Sequence, residues 1–105
     1  MFTVFEKSAY PLPLDYSRVE TDWRREGFSF GIFRDPPGQQ WIDFTHDSDE
    51  YVLVAEGQLW IEVGDENRVC EPGDLVRIPR QVSHSLKTLS SRGSVWLYGY
   101  GYWEY

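Results

Sequence analysis

From Phe28 onward, apolar and polar positions alternate with a period of two. Phe28, Phe30 and Ile32 fall on one face of an extended segment, with Ser29 and Gly31 on the other, the pattern of a half-buried strand. Asp35 to Gln40 (DPPGQQ) is a turn, because two prolines and a glycine cannot continue a ladder. In the next segment Ile42, Phe44 and His46 share a face, opposite Trp41, Asp43 and Thr45. Tyr51 to Ala55 is an uninterrupted apolar, β-prone run that ends at a turn marked by Gly57. Leu59, Ile61 and Val63 then alternate with Trp60 and Glu62, and Gly64 to Asn67 (GDEN) is a hairpin signal. Pro72-Gly73-Asp74 is a further turn, Leu75 to Ile78 a short strand closed by Pro79, and Val82, His84 and Leu86 share a face. Val95 to Tyr98 begins a last, aromatic strand. Short strands roughly every eight to twelve residues, divided by Gly, Pro and Asp turns, predict an all-β sandwich or barrel.

The first part of the chain lacks this rhythm. Pro11 and Pro13 break regular structure, and the polar stretch Glu20 to Glu26 predicts a helical turn or a loop without a long amphipathic period. Residues 1–27 are therefore expected to form an irregular segment packed on a barrel built from residues 28–105. No helix of ordinary length is expected.

The 105 residues make one domain, large enough for a core that needs no disulfide or structural metal. The single cysteine, Cys70, has no partner for an internal disulfide, which fits a reducing compartment. The N-terminus shows no basic start followed by an apolar run, and no stretch nears the roughly 20 apolar residues of a membrane span. A cytoplasmic protein without membrane contact is expected. The net charge of −7 and the lack of a Lys/Arg cluster speak against nucleic acid as a partner. Aromatic residues make up 17% of the chain, five of them Trp. That is more than one small core absorbs, which favours a homodimer with some of them at its interface.

The chemistry centres on the only two histidines, His46 and His84. A small barrel can bring both to one ion, and Glu50, four residues after His46, shares its face if that stretch is extended. Two imidazoles and one carboxylate are a facial ligand set for divalent iron and related metals.

The spacing of these residues and of the turns resembles the cupin superfamily. Its first motif reads G-x5-H-x-H-x3-E-x6-G. Here Gly38 opens it, Phe44 stands at the first histidine, His46 at the second, Glu50 at the glutamate and Gly57 at the closing glycine. The second motif reads G-x5-P-x-G-x2-H-x3-N. Gly73, Pro79 and His84 are in register, while Gln81 replaces the glycine and Thr88 the asparagine. The resemblance runs from Gly38 to Thr88 and implies a jelly-roll barrel (the cupin double-stranded β-helix). It implies a divalent metal (Fe, Mn, Ni, Zn or Cu) held by His46, Glu50 and His84, with Phe44 as an apolar wall where typical metal-binding members place a third histidine.

For function, the resemblance implies a small molecule bound inside the barrel. Dioxygenases, isomerases, decarboxylases and lyases all use this scaffold, so an enzyme of oxygenase, isomerase or lyase type is open. The two-His-one-carboxylate set leans towards dioxygenase-like chemistry. The alternative is a barrel that binds a small ligand, with or without metal, and catalyses nothing. Gln40 and Tyr98 are further pocket candidates, Gln40 also as a replacement fourth ligand, and Trp41 and Arg77 are within reach of the barrel mouth. Asp47 and Asp49 read as a solvated loop, Cys70 as an inert core thiol, and Asp74 as a cap on backbone amides of its turn. The terminal run Tyr98 to Tyr105 is expected to pack on the barrel or across a dimer.

Overall fold

A computed structural model describes residues 3–104. In chain order they form β1 (Phe5–Glu6), α1 (Tyr16–Arg25), β2 (Gly31–Asp35), β3 (Gln40–Phe44), β4 (Asp49–Glu56), β5 (Leu59–Val63), β6 (Glu66–Cys70), β7 (Leu75–Ile78), β8 (His84–Thr88) and β9 (Ser94–Gly101). The strands make a five-stranded sheet, β1-β7-β4-β9-β2, and a four-stranded sheet, β3-β8-β5-β6. All pairings are antiparallel. The sheets face each other as a jelly roll.

Between them lies the main core, with Val52, Val54, Ile61, Val76, Leu86 and Trp96 among its buried members. β4 shows why Tyr51 to Ala55 reads as an unbroken apolar run. Val52 and Val54 face this core, while Tyr51 and Leu53 belong to a second cluster on the outer face of the larger sheet. A strand covered on both faces has no polar side to display. At the hairpin, Val63 pairs with Glu66, leaving Gly64 and Asp65 as a two-residue turn in which Gly64 takes φ +57°.

The outer face is covered by α1, a ten-residue helix where only a helical turn or loop was expected. Asp15 caps it by accepting the Arg18 N–H at 3.2 Å, and the stripe facing the sheet is narrow. Val19 and Trp23, one turn apart, are its only fully buried side chains. Trp23 stacks on Tyr51 with ring centroids 5.0 Å apart. A two-residue stripe is too sparse for a periodicity test, and the helix is held by packing more than by propensity. The segment 1–27, expected to be irregular, is thus not so in its described part: residues 3–27 supply this helix and an edge strand, β1, paired to β7.

The docked helix also re-assigns the first predicted strand. Phe28 and Phe30 pack into the helix-side cluster, and the ladder begins only at Gly31. Gly99 of β9 leaves no room for a side chain under the helix, since a Cβ there would run into the Ser29 carbonyl and within 2.8 Å of Trp23.

Two side chains expected at turns have definite partners. Asp74 accepts the N–H groups of Ser8 at 2.8 Å and Glu71 at 2.9 Å, as a capping aspartate does. Asp49, expected in a solvated loop, is fully buried. Its carboxylate accepts the backbone N–H of Arg80 at 2.7 Å and of Trp103 at 2.7 Å and pairs with the Arg80 guanidinium at 3.1 Å. Trp103 in turn rests against Phe28 and Tyr51. Of the terminal aromatic run, Trp103 thus packs on the helix-side cluster, Tyr98 packs on the inner face of the larger sheet and Tyr102 is exposed, while Tyr105 lies outside the described residues. Cys70 is buried, and its thiol is pushed up to about 12 by burial, with help from the nearby Asp74 charge. An inert thiol results.

Candidate metal centre

At one end of the barrel the two sheets part around a cavity of about 160 Å³. Glu50 reaches it from β4, on the same inward face as Val52 and Val54. His84 reaches it from β8, where it stands opposite Phe44 of β3 and Val63 of β5. His46 comes from the connection between β3 and β4, not from a strand. Turning of that connection, and not strand alternation, brings it back over Glu50. The connection is tied down by the turn before β8. The Gln81 N–H donates to the His46 carbonyl at 2.9 Å, and the Gln81 side-chain amide donates to Asp47 at 2.9 Å. Gln81 takes φ +66°, a left-handed conformation that suits glycine, and it occupies the position where the second motif has one.

One carboxylate oxygen lies between the two imidazoles. Glu50 Oε1 is 3.5 Å from His46 Nε2 and 3.5 Å from His84 Nε2, and one ligand atom from each residue can be chosen so that all lie within 4.8 Å of one another. Glu50 and His84 are buried and His46 is half-buried. Glu50 Oε1 makes no hydrogen bond, and among the described residues it is the one buried side-chain polar atom without a partner. Burial pushes the Glu50 carboxyl up to about 8. Burial likewise lowers His84, assisted by His46 and opposed by the Val82 carbonyl, which lies 3.4 Å from Nδ1. With Nδ1–H donated to Val82, the Nε2 lone pair of His84 is directed at Glu50. Two imidazole nitrogens around an orphaned carboxylate oxygen fit a divalent cation, which would satisfy all three at once.

The rest of the cavity is apolar and mostly aromatic, walled by Phe33, Trp41, Phe44, Leu86, Trp96 and Tyr100. Trp41 and Phe44 both face it, although strict alternation puts them on opposite sides of β3. A β-bulge resolves the conflict. Trp41 pairs with Leu86 and Phe44 with His84, so three steps on β3 match two on β8. The extra residue is accommodated at Asp43, which takes φ +54° and donates its N–H to Ser85 Oγ at 2.9 Å. Ile42 is left 50% exposed, so the expected face of Ile42, Phe44 and His46 is broken at the bulge.

The structure places the other two pocket candidates outside the lining. Gln40 is exposed at the start of β3, outside the lining, and so is not placed to act as a fourth ligand. Tyr98 is on the same face of β9, between Trp96 and Tyr100, with its ring lying over Gly31 of β2. Its ring meets those of Trp96 and Tyr100 without lining the cavity. Tyr100 takes the place instead, because β9 pairs it with Glu50. Its ring meets His46 edge-on, with centroids 5.2 Å apart, and burial, with the Glu50 charge, pushes its hydroxyl up to about 12. The alternation of Tyr with Gly from Tyr98 to Gly101 put these rings on one face; the strand register that selects between them is not readable from one sequence. Arg77 is held away from the site by Glu6 at 2.8 Å. Asp35 is buried and accepts the indole N–H groups of Trp41 and Trp96 on a single oxygen, each at 3.0 Å. This clamp fixes both rings and was not foreseen from the sequence, which placed Asp35 in a turn.

A jelly roll with a small aromatic cavity closed at one end by two imidazoles and a carboxylate is a β-barrel with a metal-type donor set. The family follows from the sequence match: a model of the cupin domain covers residues 31–100, and the chain belongs to the cupin family. No curated protein matches the sequence. Solved structures of the same fold include an RmlC-like cupin from Shewanella frigidimarina, 18% identical with a TM-score of 0.64 over 70% of this chain and 64% of that one. A protein of unknown function from Rhizobium leguminosarum is 24% identical, with a TM-score of 0.65 over 72% of this chain and 71% of its own. An oxalate decarboxylase from Bacillus subtilis is 22% identical, with a TM-score of 0.63 over 70% of this chain and 20% of that one. The match thus spans less than two thirds of the Shewanella chain and about a fifth of the decarboxylase. No helix among the described residues is long and apolar enough to cross a membrane.

Proposed function

We propose that this cupin binds a divalent metal through His46, Glu50 and His84 and acts on a small molecule in the adjoining cavity. The observation that carries the reading is the orphaned Glu50 Oε1, buried between two imidazole Nε2 atoms at 3.5 Å each. A buried carboxylate without donors is costly, and a cation shared with both histidines removes that cost. Such an ion supplies Lewis acidity and lowers the pKa of bound water. Three protein ligands leave positions open for water or substrate, and the donor set suits dioxygenase-type chemistry.

The chain's own residues have separable tasks. The Val82 carbonyl fixes the tautomer of His84, and Gln81 holds the connection that carries His46. Tyr100, protonated at neutral pH, is a hydrogen-bond donor and not a base. The aromatic walls exclude water and orient the ligand. Elemental analysis of protein purified without added metal tests the reading. The wild type is expected to carry close to one equivalent of a transition metal, and His84→Ala and Glu50→Gln far less. Equal metal in all three overturns it.

A non-catalytic binder is the second reading. It is favoured by Phe44 at the position where the first motif has a histidine. Dioxygen uptake by the metal-loaded protein across a panel of small aromatic and thiol compounds separates the two, and silence throughout favours the binder.

A further inference from the structure

The cavity has a polarity that restricts its ligand. All its polar character lies at the end formed by His46, Glu50 and His84, with Tyr100 beside them. The remaining wall is Phe33, Trp41, Phe44, Leu86 and Trp96, and no lysine or arginine lines it. The chain as a whole carries a charge of −7. A ligand with two or more carboxylates would find one centre able to bear positive charge and an apolar wall opposite, where a second carboxylate loses its hydration without compensation. The volume, about 160 Å³, is close to that of an apolar cavity known to hold one benzene molecule, roughly 150 Å³.

The walls are arranged to grip a flat object. Phe33 stacks on Trp96 with centroids 5.1 Å apart and an interplanar angle of 15°. It also meets Trp41 edge-on at 5.5 Å, and Trp41 meets Phe44 at 5.8 Å. Asp35 holds the indoles of Trp41 and Trp96 through their N–H groups, so these two walls are fixed before any ligand arrives. Phe33 and Phe44 are 37% and 40% exposed and stand at the mouth, apolar surface with something left to cover.

We infer that the ligand of this site is a single aromatic ring, neutral or singly charged, bearing one oxygen or nitrogen donor turned towards His46, Glu50 and His84. This rests on the metal reading above for the donor end, and on the walls alone for the ring.

Benzoate and acetate present the same donor with and without a ring, so the pair isolates the wall. Co(II)-loaded wild type, Phe33→Ala, Phe44→Ala and Glu50→Gln are titrated with each. Binding is followed by the visible spectrum of the metal and by quenching of the tryptophans. Both phenylalanines are partly exposed, so their removal leaves the core and the three candidate ligands in place. Benzoate is expected to bind wild type at least about tenfold more tightly than acetate, and each Phe→Ala change to cut that ratio several-fold without altering Co(II) content. Equal affinities in a protein that retains Co(II) overturn the inference and leave the metal reading standing. Co(II) held no better by wild type than by Glu50→Gln overturns the metal reading. In that event phenol quenching of the metal-free protein, abolished in Phe33→Ala, supports the ring pocket, and no quenching overturns it as well.

Discussion

With metal removed by a chelator, replacing Glu50 by Gln should stabilise the protein, and the gain should grow with pH. Glu50 is 3% exposed, its Oε1 has no hydrogen-bond donor, and burial raises its carboxyl from the ordinary 4.5 to about 8. The folded state therefore keeps a proton that the unfolded chain releases. The sign follows from linkage: the contribution of Glu50 to stability is fully present below pH 4.5 and is lost progressively as pH rises through about 8. At about 1.4 kcal/mol per pH unit, the loss is on the order of 3 kcal/mol at pH 7 and 4–5 kcal/mol above pH 8.

Glu50→Gln has nearly the same shape and no titration. Its amide can donate to an imidazole Nε2 atom, which leaves a residual burial cost of about 1–2 kcal/mol. The two proteins should be close in stability near pH 5, and the variant should be ahead by about 2–4 kcal/mol at pH 8.5. Urea unfolding in EDTA, followed by tryptophan emission at several pH values, measures the difference. The titration of His84 is common to both proteins and largely cancels. Excess divalent metal should reverse the order, since a ligand at 100 times its dissociation constant adds about 2.7 kcal/mol to the protein that binds it. A difference in stability that is flat or falls between pH 5 and 8.5 would refute the burial argument.

Other changes test the frame around the site. Gly99→Ala should cost about 2–4 kcal/mol, because its Cβ would collide with the Ser29 carbonyl and Trp23 under α1; a thermal midpoint within a degree or two of wild type would show that the helix does not need this close approach. Asp35→Ala strands two indole N–H donors that now share one oxygen. A loss of about 2–4 kcal/mol in urea unfolding is expected, and a loss under about 1 kcal/mol would mean that water replaces the carboxylate. At Gln81, φ +66° favours glycine: Gln81→Gly should be neutral or stabilising by up to about 1 kcal/mol, and Gln81→Val destabilising by more than about 1 kcal/mol. Equal midpoints for these two variants would contradict the strained turn.

Much of the fold was legible because turns are written in local chemistry. Gly64-Asp65, Pro72-Gly73-Asp74 and the prolines at Asp35 to Gln40 each act within a few residues, so the strand rhythm they punctuate reads directly from the chain. The helix α1 escaped because its buried stripe is only Val19 and Trp23, and a periodicity needs more than two points. Asp49 escaped for a related reason. Between Ser48 and Glu50 it looks like one more acid in a polar loop, and only the return of Arg80 and Trp103 from far along the chain shows that its carboxylate is a buried hub.

The site exposes the same boundary between local and long-range information. The motif spacing put His46, Glu50 and His84 forward together, and the fold sets their donor atoms within 4.8 Å of one another. The walls were a different matter. Whether Tyr98 or Tyr100 lines the cavity depends on the pairing of Glu50 with Tyr100, which is a relation between distant strands. The bulge at Asp43 depends on Ser85, another distant partner. That bulge has a functional consequence. Without its extra residue, Trp41 and Phe44 would lie on opposite faces of β3, and Phe44, which stands where a third histidine would in typical metal-binding members, would point away from the centre. With it, an indole and a phenyl ring line the same cavity. The departure from the family pattern at Phe44 is therefore a change of wall, from ligand to ring, at a position the backbone still directs into the cavity.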